Sequence, residues 1–388
     1  MTESVVLHTD LPAADAAGAF LGAQISAAFR GEVPDAVILF ASPRYDYPKL
    51  LRGVETACRP KHLIGCSSAG EFTTQASGDG TVCAIALRST EIQFAASVVR
   101  GLRSDRTAAA KALASSFQGT ARHNYHFRSA LILTDALAGH VEELIDELTL
   151  ATAGTYQFFG GGAGDDARFQ QTHVFYGTEA VVDAAVALEI LSNKPLGIGI
   201  SHGWEPAGPS LRVTEADGPR LISLNAAPAV EAFQAHAEAT GQVFEATNPL
   251  PFFLHNVLGI ETGSGYKLRV PLGVEPDGSI LCAAEVPPGA TARIMSTGAA
   301  SAAQAASEAC QAAIQQLNGE RPKVAFFFDC AATRLRMGKE FGLELRALQE
   351  TLGVATYAGC NTYGQIARAE GQFSGFHNCT AVVCVIPE

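Results

Sequence analysis

Charge is scarce in this chain of 388 residues: 17% are Asp, Glu, Lys or Arg, and 27 basic side chains face 39 acidic ones. No basic run occurs, which excludes the clustered Lys and Arg from which a nucleic-acid surface draws its affinity for phosphate. No uninterrupted apolar stretch approaches the roughly 18 residues that cross a bilayer as a helix, so no membrane partner is expected. Met1 to Asp10 lacks both a basic segment and an apolar core, and reads against a signal peptide. Cys-x-x-Cys is missing although nine cysteines are present, several inside apolar runs such as those of Cys83, Cys282 and Cys384. That usage reads as reduced, packed thiols in a cytoplasmic protein. Polar low-complexity tracts are also absent, and a chain of this length fits two domains of roughly 150–200 residues.

What is present is a repeated device. Leu63 to Phe72 reads Leu-Ile-Gly-Cys-Ser-Ser-Ala-Gly-Glu-Phe, and Tyr357 to Ile366 reads Tyr-Ala-Gly-Cys-Asn-Thr-Tyr-Gly-Gln-Ile. A looser copy is Tyr156 to Asp166, Tyr-Gln-Phe-Phe-Gly-Gly-Gly-Ala-Gly-Asp-Asp. An apolar run that stops at a glycine-bounded polar loop is a buried strand delivering backbone N–H groups and small hydroxyls to a sheet end.

The segments before each loop share one order. A helix over 13–29, a strand over 36–41 and a helix over 47–58 lead to the first loop; 106–117, 130–134 and 141–152 lead to the second; 300–317, 324–328 and 338–352 lead to the third. Phe40 and Thr134 stand 94 positions apart, and Gly65 and Gly160 stand 95 apart, so the first two copies are in register. The spacing predicts an α/β fold of repeated βαβ units forming mixed sheets flanked by helices, with two domains from internal duplication, 30–222 and 223–375. Strands at 81–88 and 92–99 are expected to pair as a hairpin. Between 211 and 294 shorter strands are punctuated by turns at Asp217-Gly218, Gly263-Ser-Gly265 and Pro276-Asp277-Gly278.

The three loops, 65–71, 160–166 and 359–365, are expected to come together and hold a small molecule. The binding residues are expected to be Cys66, Ser67, Ser68, Gly70 and Glu71 in the first loop, Gly161, Gly162 and Asp165 in the second, and Cys360, Asn361, Thr362 and Gln365 in the third. Arg334 and Arg336 follow a buried strand and are placed to neutralise a carboxylate; surface arginines are the plain alternative. Enzymatic readings are weaker. Gly65-Cys-Ser-Ser-Ala-Gly70 has Ala69 where a nucleophile elbow needs glycine, and a strand follows where a helix should. Cys66 has no recognisable base beside it. Gly162 to Ala167 fits Gly-x-Gly-x-x-Ala, yet a strand rather than a helix comes next, so no helix N-terminus meets a pyrophosphate. His123 and His126 lack further ligands at zinc spacing. A hydrolase or thiol enzyme using Ser67 or Cys66 remains one alternative and a scaffold that docks a kinase another. His202, beside the single tryptophan Trp204, and His377, opening the last strand, read first as hydrogen-bonded strand-end histidines.

Gly65-Cys-Ser-Ser-Ala-Gly-Glu71, Ser201-His-Gly-Trp204, Gly359-Cys-Asn-Thr-Tyr-Gly-Gln365 and Phe376-His-Asn378 together resemble the FIST proteins, with the N-terminal and C-terminal domains in the family's order. The resemblance implies a bacterial intracellular sensor of a small ligand such as an amino acid, with a histidine kinase or other signalling protein as partner. Through the family's nitric-oxide-sensing haem proteins it also implies haem, with His202 as axial ligand, His377 as runner-up, and Arg334 or Arg336 at the propionates. The chain departs from the family pattern at Gln365, where Glu is typical, at Cys379, where Gln is common, and at Ala331-Ala-Thr, which replaces a Gly-Arg stretch.

Overall fold

The structure, a computed structural model, describes residues 1–121, 124–263, 265–369 and 375–388; His123 and the Ser264 turn position lie outside the described residues. The chain is a mixed α/β protein of repeated units whose mixed sheets are flanked by helices. In each unit two parallel strands follow one another around a helix. Ala36–Ala41 pairs with His62–Ser67 around helix Tyr47–Cys58, Phe127–Thr134 with Gln157–Gly162 around Val141–Ala151, and Pro322–Cys330 with Thr356–Thr362 around Gly342–Leu352. The registers are equivalent: Phe40 faces Cys66, Leu133 faces Gly161 and Phe328 faces Cys360.

Local sequence explains these elements. Helix Tyr47–Cys58 starts where the Asp46 carboxylate accepts from the Lys49 N–H, with Pro48 in the first turn, where its missing N–H costs nothing. Asp105 caps Arg106–Ser115 in the same way through the Ala108 N–H. Alternation along the strands divides the core. Ile38, Phe40, Leu131, Phe159, Phe326 and Phe328 point into a centre shared by all three sheets. Val37 and Leu39 point outward onto Leu21, Leu50 and Val54 of their own helices. Phe40 and Phe328, from different units, meet edge to face at 5.6 Å. Each such buried ring contributes about 2–3 kcal/mol from water exclusion.

The sheets are completed by exchange. The hairpin after the first loop, Glu71–Thr73 with Ser77–Gly78, adds to the third sheet against Thr356–Thr362. The hairpin after the third, Gln365–Arg368 with Gly375–His377, adds to the second sheet against Gln157–Gly162. The hairpin after the second, Val174–Tyr176 with Glu179–Val181, adds to the first sheet against His62–Ser67. The expected hairpin over 81–99 does not form. Val82–Ser89 lies between Thr2–Thr9 and Ala36–Ala41, whereas Gln93–Arg100 pairs with Ala184–Ser192 in another sheet, so the short turn carries the chain between sheets.

Between Ser201 and Ala299 the chain builds a further nine-stranded sheet with helix Ala229–Thr240, over a separate core of Val213, Phe233, Phe253, Leu258 and Ile294. Position 222 falls inside one of its strands, Arg220–Leu224. Glu142 on the second unit's helix clasps Lys267 and the buried Arg269 and ties this segment to the repeats.

Candidate ligand-binding site

The three loops meet, and the reason is steric. A Cβ on Gly65, Gly160 or Gly359 would lie 2.0, 2.0 or 1.7 Å from the carbonyl oxygen of the facing parallel strand, so only glycine admits this approach. Backbone bonds then close a ring through all three loops. Gly164 and Asp166 N–H groups donate to Ser67 and Ser68 carbonyls at 2.9 and 3.2 Å; Ala69 N–H donates to Asn361 O at 2.9 Å and Asn361 N–H to Gly70 O at 2.8 Å; Gly162 N–H donates to Gly364 O and Tyr363 N–H to Gly162 O, both at 2.9 Å.

Most of the side chains expected to hold a ligand are spent inside that ring. Cys66, Ser67, Ser68, Glu71, Cys360, Asn361, Thr362 and Gln365 are all fully buried. Ser67 Oγ accepts from the His173 N–H at 2.9 Å. Ser68 donates to Glu71 Oε1 at 2.6 Å, and Glu71 Oε2 accepts from the Thr81 N–H and hydroxyl at 3.0 and 2.7 Å. Burial outweighs these three donors and pushes the Glu71 carboxyl up to about 7. The Gln365 amide, oriented to satisfy its neighbours, accepts from the Cys330 N–H and the Thr362 hydroxyl and donates to Thr380 O. Cys66 and Cys360 lie thiol to thiol in the shared core, and Cys330 and Cys379 pair likewise. Asp165 accepts from the N–H groups of Phe169, Gln170 and Gln171 and from the Tyr363 hydroxyl, which folds the second loop. Gly161 and Gly162 leave room for Thr362 and Ala136. Most of the polar atoms at these positions satisfy one another away from solvent, whereas Asn361 Nδ2 is buried with no hydrogen-bond partner among the described residues.

Open space begins beside the ring. Ala69, Asp79, Asp166, Arg334 and Lys339 border a polar cleft of about 580 Å³. Arg334 lies flat on Gly70, where a Cβ would sit 1.7 Å from Nη1; it donates to Asn361 Oδ1 at 3.1 Å and pairs with the exposed carboxylate of Asp79. Across the cleft Asp166 Oδ2 accepts from Ser42 Oγ at 2.8 Å, while Oδ1 is buried with no hydrogen-bond partner among the described residues. Burial raises the Asp166 carboxyl above the ordinary aspartate range, with Asp79 adding to the shift. Arg336 points elsewhere, its guanidinium 5.5 Å from the Trp204 ring. The sequence reading missed Asp79, Asp166 and Lys339. Laying the three loops on one another would have found Asp166: it occupies the place of Glu71 and Gln365, but Ala163 stands where they have the hydroxyls of Ser68 and Thr362.

Haem does not fit His202 or His377 here. The Trp204 N–H donates to His202 Nδ1 at 3.3 Å and Nε2 donates to Tyr266 O at 3.0 Å, so both ring nitrogens are engaged; burial lowers the pKa. His377 is buried, and burial followed by the charges of Lys267 and Arg269 holds its pKa far below the ordinary range. Neither histidine borders the polar cleft. His126 bonds Asn193 at 3.0 Å, and among the described residues no cluster of three or more His, Cys, Asp or Glu side chains is placed to hold a metal. Among the described residues no helix is long and apolar enough to cross a membrane.

Among solved structures, a cyanuric acid hydrolase from A. caulinodans is similar to the chain at 8% identity, over 100% of both chains, with a TM-score of 0.34. A likeness that weak carries no argument. No curated protein matches. The FIST N domain matches residues 35–227 and the FIST C domain residues 229–368, in keeping with a sensory role and small-ligand binding. With both domains present in that order over most of its length, the chain belongs to the FIST family.

Proposed function

We propose that the protein is a non-enzymatic sensor whose polar cleft binds an amino-acid-like zwitterion, the ammonium on Asp166 and the carboxylate on Arg334 and Lys339, and passes the signal to a histidine kinase or another signalling protein. The observation that carries this reading is the Asp166 carboxylate, which borders the cleft with its Oδ1 buried and unpartnered among the described residues, in a lining that also holds Arg334 and Lys339. A buried acceptor left unpaired costs about 1–3 kcal/mol, which an incoming N–H donor recovers. The competing contact is weak: an ion pair with a partner as exposed as Asp79 contributes about 0–1 kcal/mol, so a ligand carboxylate displaces it readily. The cleft draws Ala69 from the first loop, Asp166 from the second and Arg334 from beside the third, so occupancy would bias the packing of all three units.

The test is thermal unfolding and calorimetry with the twenty amino acids and with their N-acetyl and amide derivatives. A ligand bound only by the folded state raises the midpoint. The free amino acid should bind, each capped derivative should lose most of the effect, and Asp166→Asn and Arg334→Gln should each abolish it. Stabilisation that survives both substitutions would exclude the cleft. Covalent labelling by a serine-hydrolase or thiol probe, lost in Ser67→Ala or Cys66→Ala, would overturn the non-enzymatic reading.

A further inference from the structure

On the other side of Ala331 from the polar cleft lies a second cavity, of about 180 Å³, between the third loop, the turn that starts the helix Val141–Ala151 and the inserted segment. Its walls are apolar, with Leu137, Val141, Val270, Leu272 and Phe376 among them. Alanines make the space: Ala136, Ala283, Ala284, Ala331 and Ala332 all border it, drawn from three separate stretches of chain. The pocket is partly open to solvent, and its apolar lining lacks the dispersion contacts that an apolar occupant would supply. An apolar cavity of about 150 Å³ holds one benzene ring.

One charged group breaks the apolar lining. Glu285 borders the cavity, and its Oε1 accepts from His140 Nδ1 at 3.0 Å. Its Oε2 is buried and has no hydrogen-bond partner among the described residues. The backbone at Glu285 is anchored, because its carbonyl accepts from Arg269 Nε at 2.6 Å and the Arg269 guanidinium is itself clasped by Glu142. We propose that this cavity is a binding site for a single-ring molecule bearing one N–H or O–H donor, with the ring among the alanines and the donor on Glu285 Oε2. An apolar molecule of the same shape would leave that oxygen unpaired, so the site selects for the donor as well as for size. The site is separate from the polar cleft and does not depend on the zwitterion reading. Because its walls come from the third unit, the second unit and the inserted segment, an occupant would lock the inserted segment against the repeats.

Aniline and toluene, matched in shape and differing in an amino or methyl group, test the site on the full chain by calorimetry and ligand-observed NMR. Aniline should bind about tenfold or more tightly than toluene, the usual size of one charge-assisted hydrogen bond. Glu285→Leu should erase that preference while leaving toluene bound. Ala332→Leu, or Ala283→Leu if the first variant folds poorly, should abolish binding of both. Equal affinity for the two probes, an aniline preference that persists in Glu285→Leu, or no binding of either by the unaltered protein would each overturn the proposal.

Discussion

In the first and third units the residue six places after the shared glycine, Glu71 or Gln365, turns back onto a hydroxyl three residues earlier, Ser68 or Thr362. In the second unit that place holds Asp166, and the residue three earlier is Ala163, which has nothing to offer. The strand pairs leading into the three loops are equivalent, so the side chains alone make the difference. Where the loop closes on itself, the polar residue is consumed and a strand of the exchanged hairpin begins at once, at Glu71 or Gln365. Where it does not, the chain stays irregular until Val174, and a buried carboxylate oxygen beside the cleft is left without a hydrogen-bond partner among the described residues. A polar residue in a conserved geometry is thus a fastener when its neighbour completes it and a binding group when its neighbour fails to.

The most drastic way to break the comparison is to remove what the three loops share. Gly359→Ala places a Cβ 1.7 Å from Phe327 O, against backbone that has no room to move, and should cost on the order of 4 kcal/mol or more, seen as lost cooperative unfolding in urea. Gly65→Ala should do the same, and tolerance at both sites would mean the units are not held by this close approach.

The two self-closing loops should then separate by pH, since Glu71 titrates and Gln365 does not. Glu71 is raised by burial from 4.5 to about 7, so between those values the unfolded chain has lost the proton while the folded chain keeps it. Stability contributed at this site is therefore full below about 4.5, falls as pH rises, and levels off above about 7, a change of about 3 kcal/mol. Urea titrations of the unaltered protein and Glu71→Gln across that window should diverge in slope; parallel curves would place the proton elsewhere.

The smallest and sharpest change converts the open loop into a closed one. Ala163→Ser supplies the hydroxyl that Ser68 and Thr362 provide in the other units. It should engage Asp166 and weaken ligand binding in the polar cleft about tenfold, with the unfolding free energy moved by less than about 0.5 kcal/mol. Calorimetry on the same amino acid that stabilises the unaltered protein reads the first effect and urea unfolding the second. Unchanged affinity would detach Asp166 from the site.

The helices of the three units, their parallel strand pairs and the meeting of the glycine loops were legible in the sequence, because periodicity and steric need for glycine are local properties repeated three times; helices Ala229–Thr240 and Ala331–Met337 were not. Helix Tyr47–Cys58 and strand Ala36–Ala41 carry their own caps and apolar faces, and their bounds follow from those residues. The roles of the loop side chains were not legible in the same way. Ser67, Glu71, Asp165 and Gln365 look like binding groups in sequence, and only their partners, Thr81, His173, Tyr363 and Thr380, show that they are occupied.

By itself, then, the sequence determined the repeat, the family and the place where the sheets end. Tertiary structure alone decided which sheet each hairpin joins, why 82–89 and 93–100 part company, and how five alanines from three distant stretches of chain border a cavity beside Glu285. The physical reason is one of range. Propensity and alternation describe which face of an element avoids water, but a sheet edge or a carboxylate oxygen is satisfied by whichever distant group reaches it, and that choice is made only when the chain has folded.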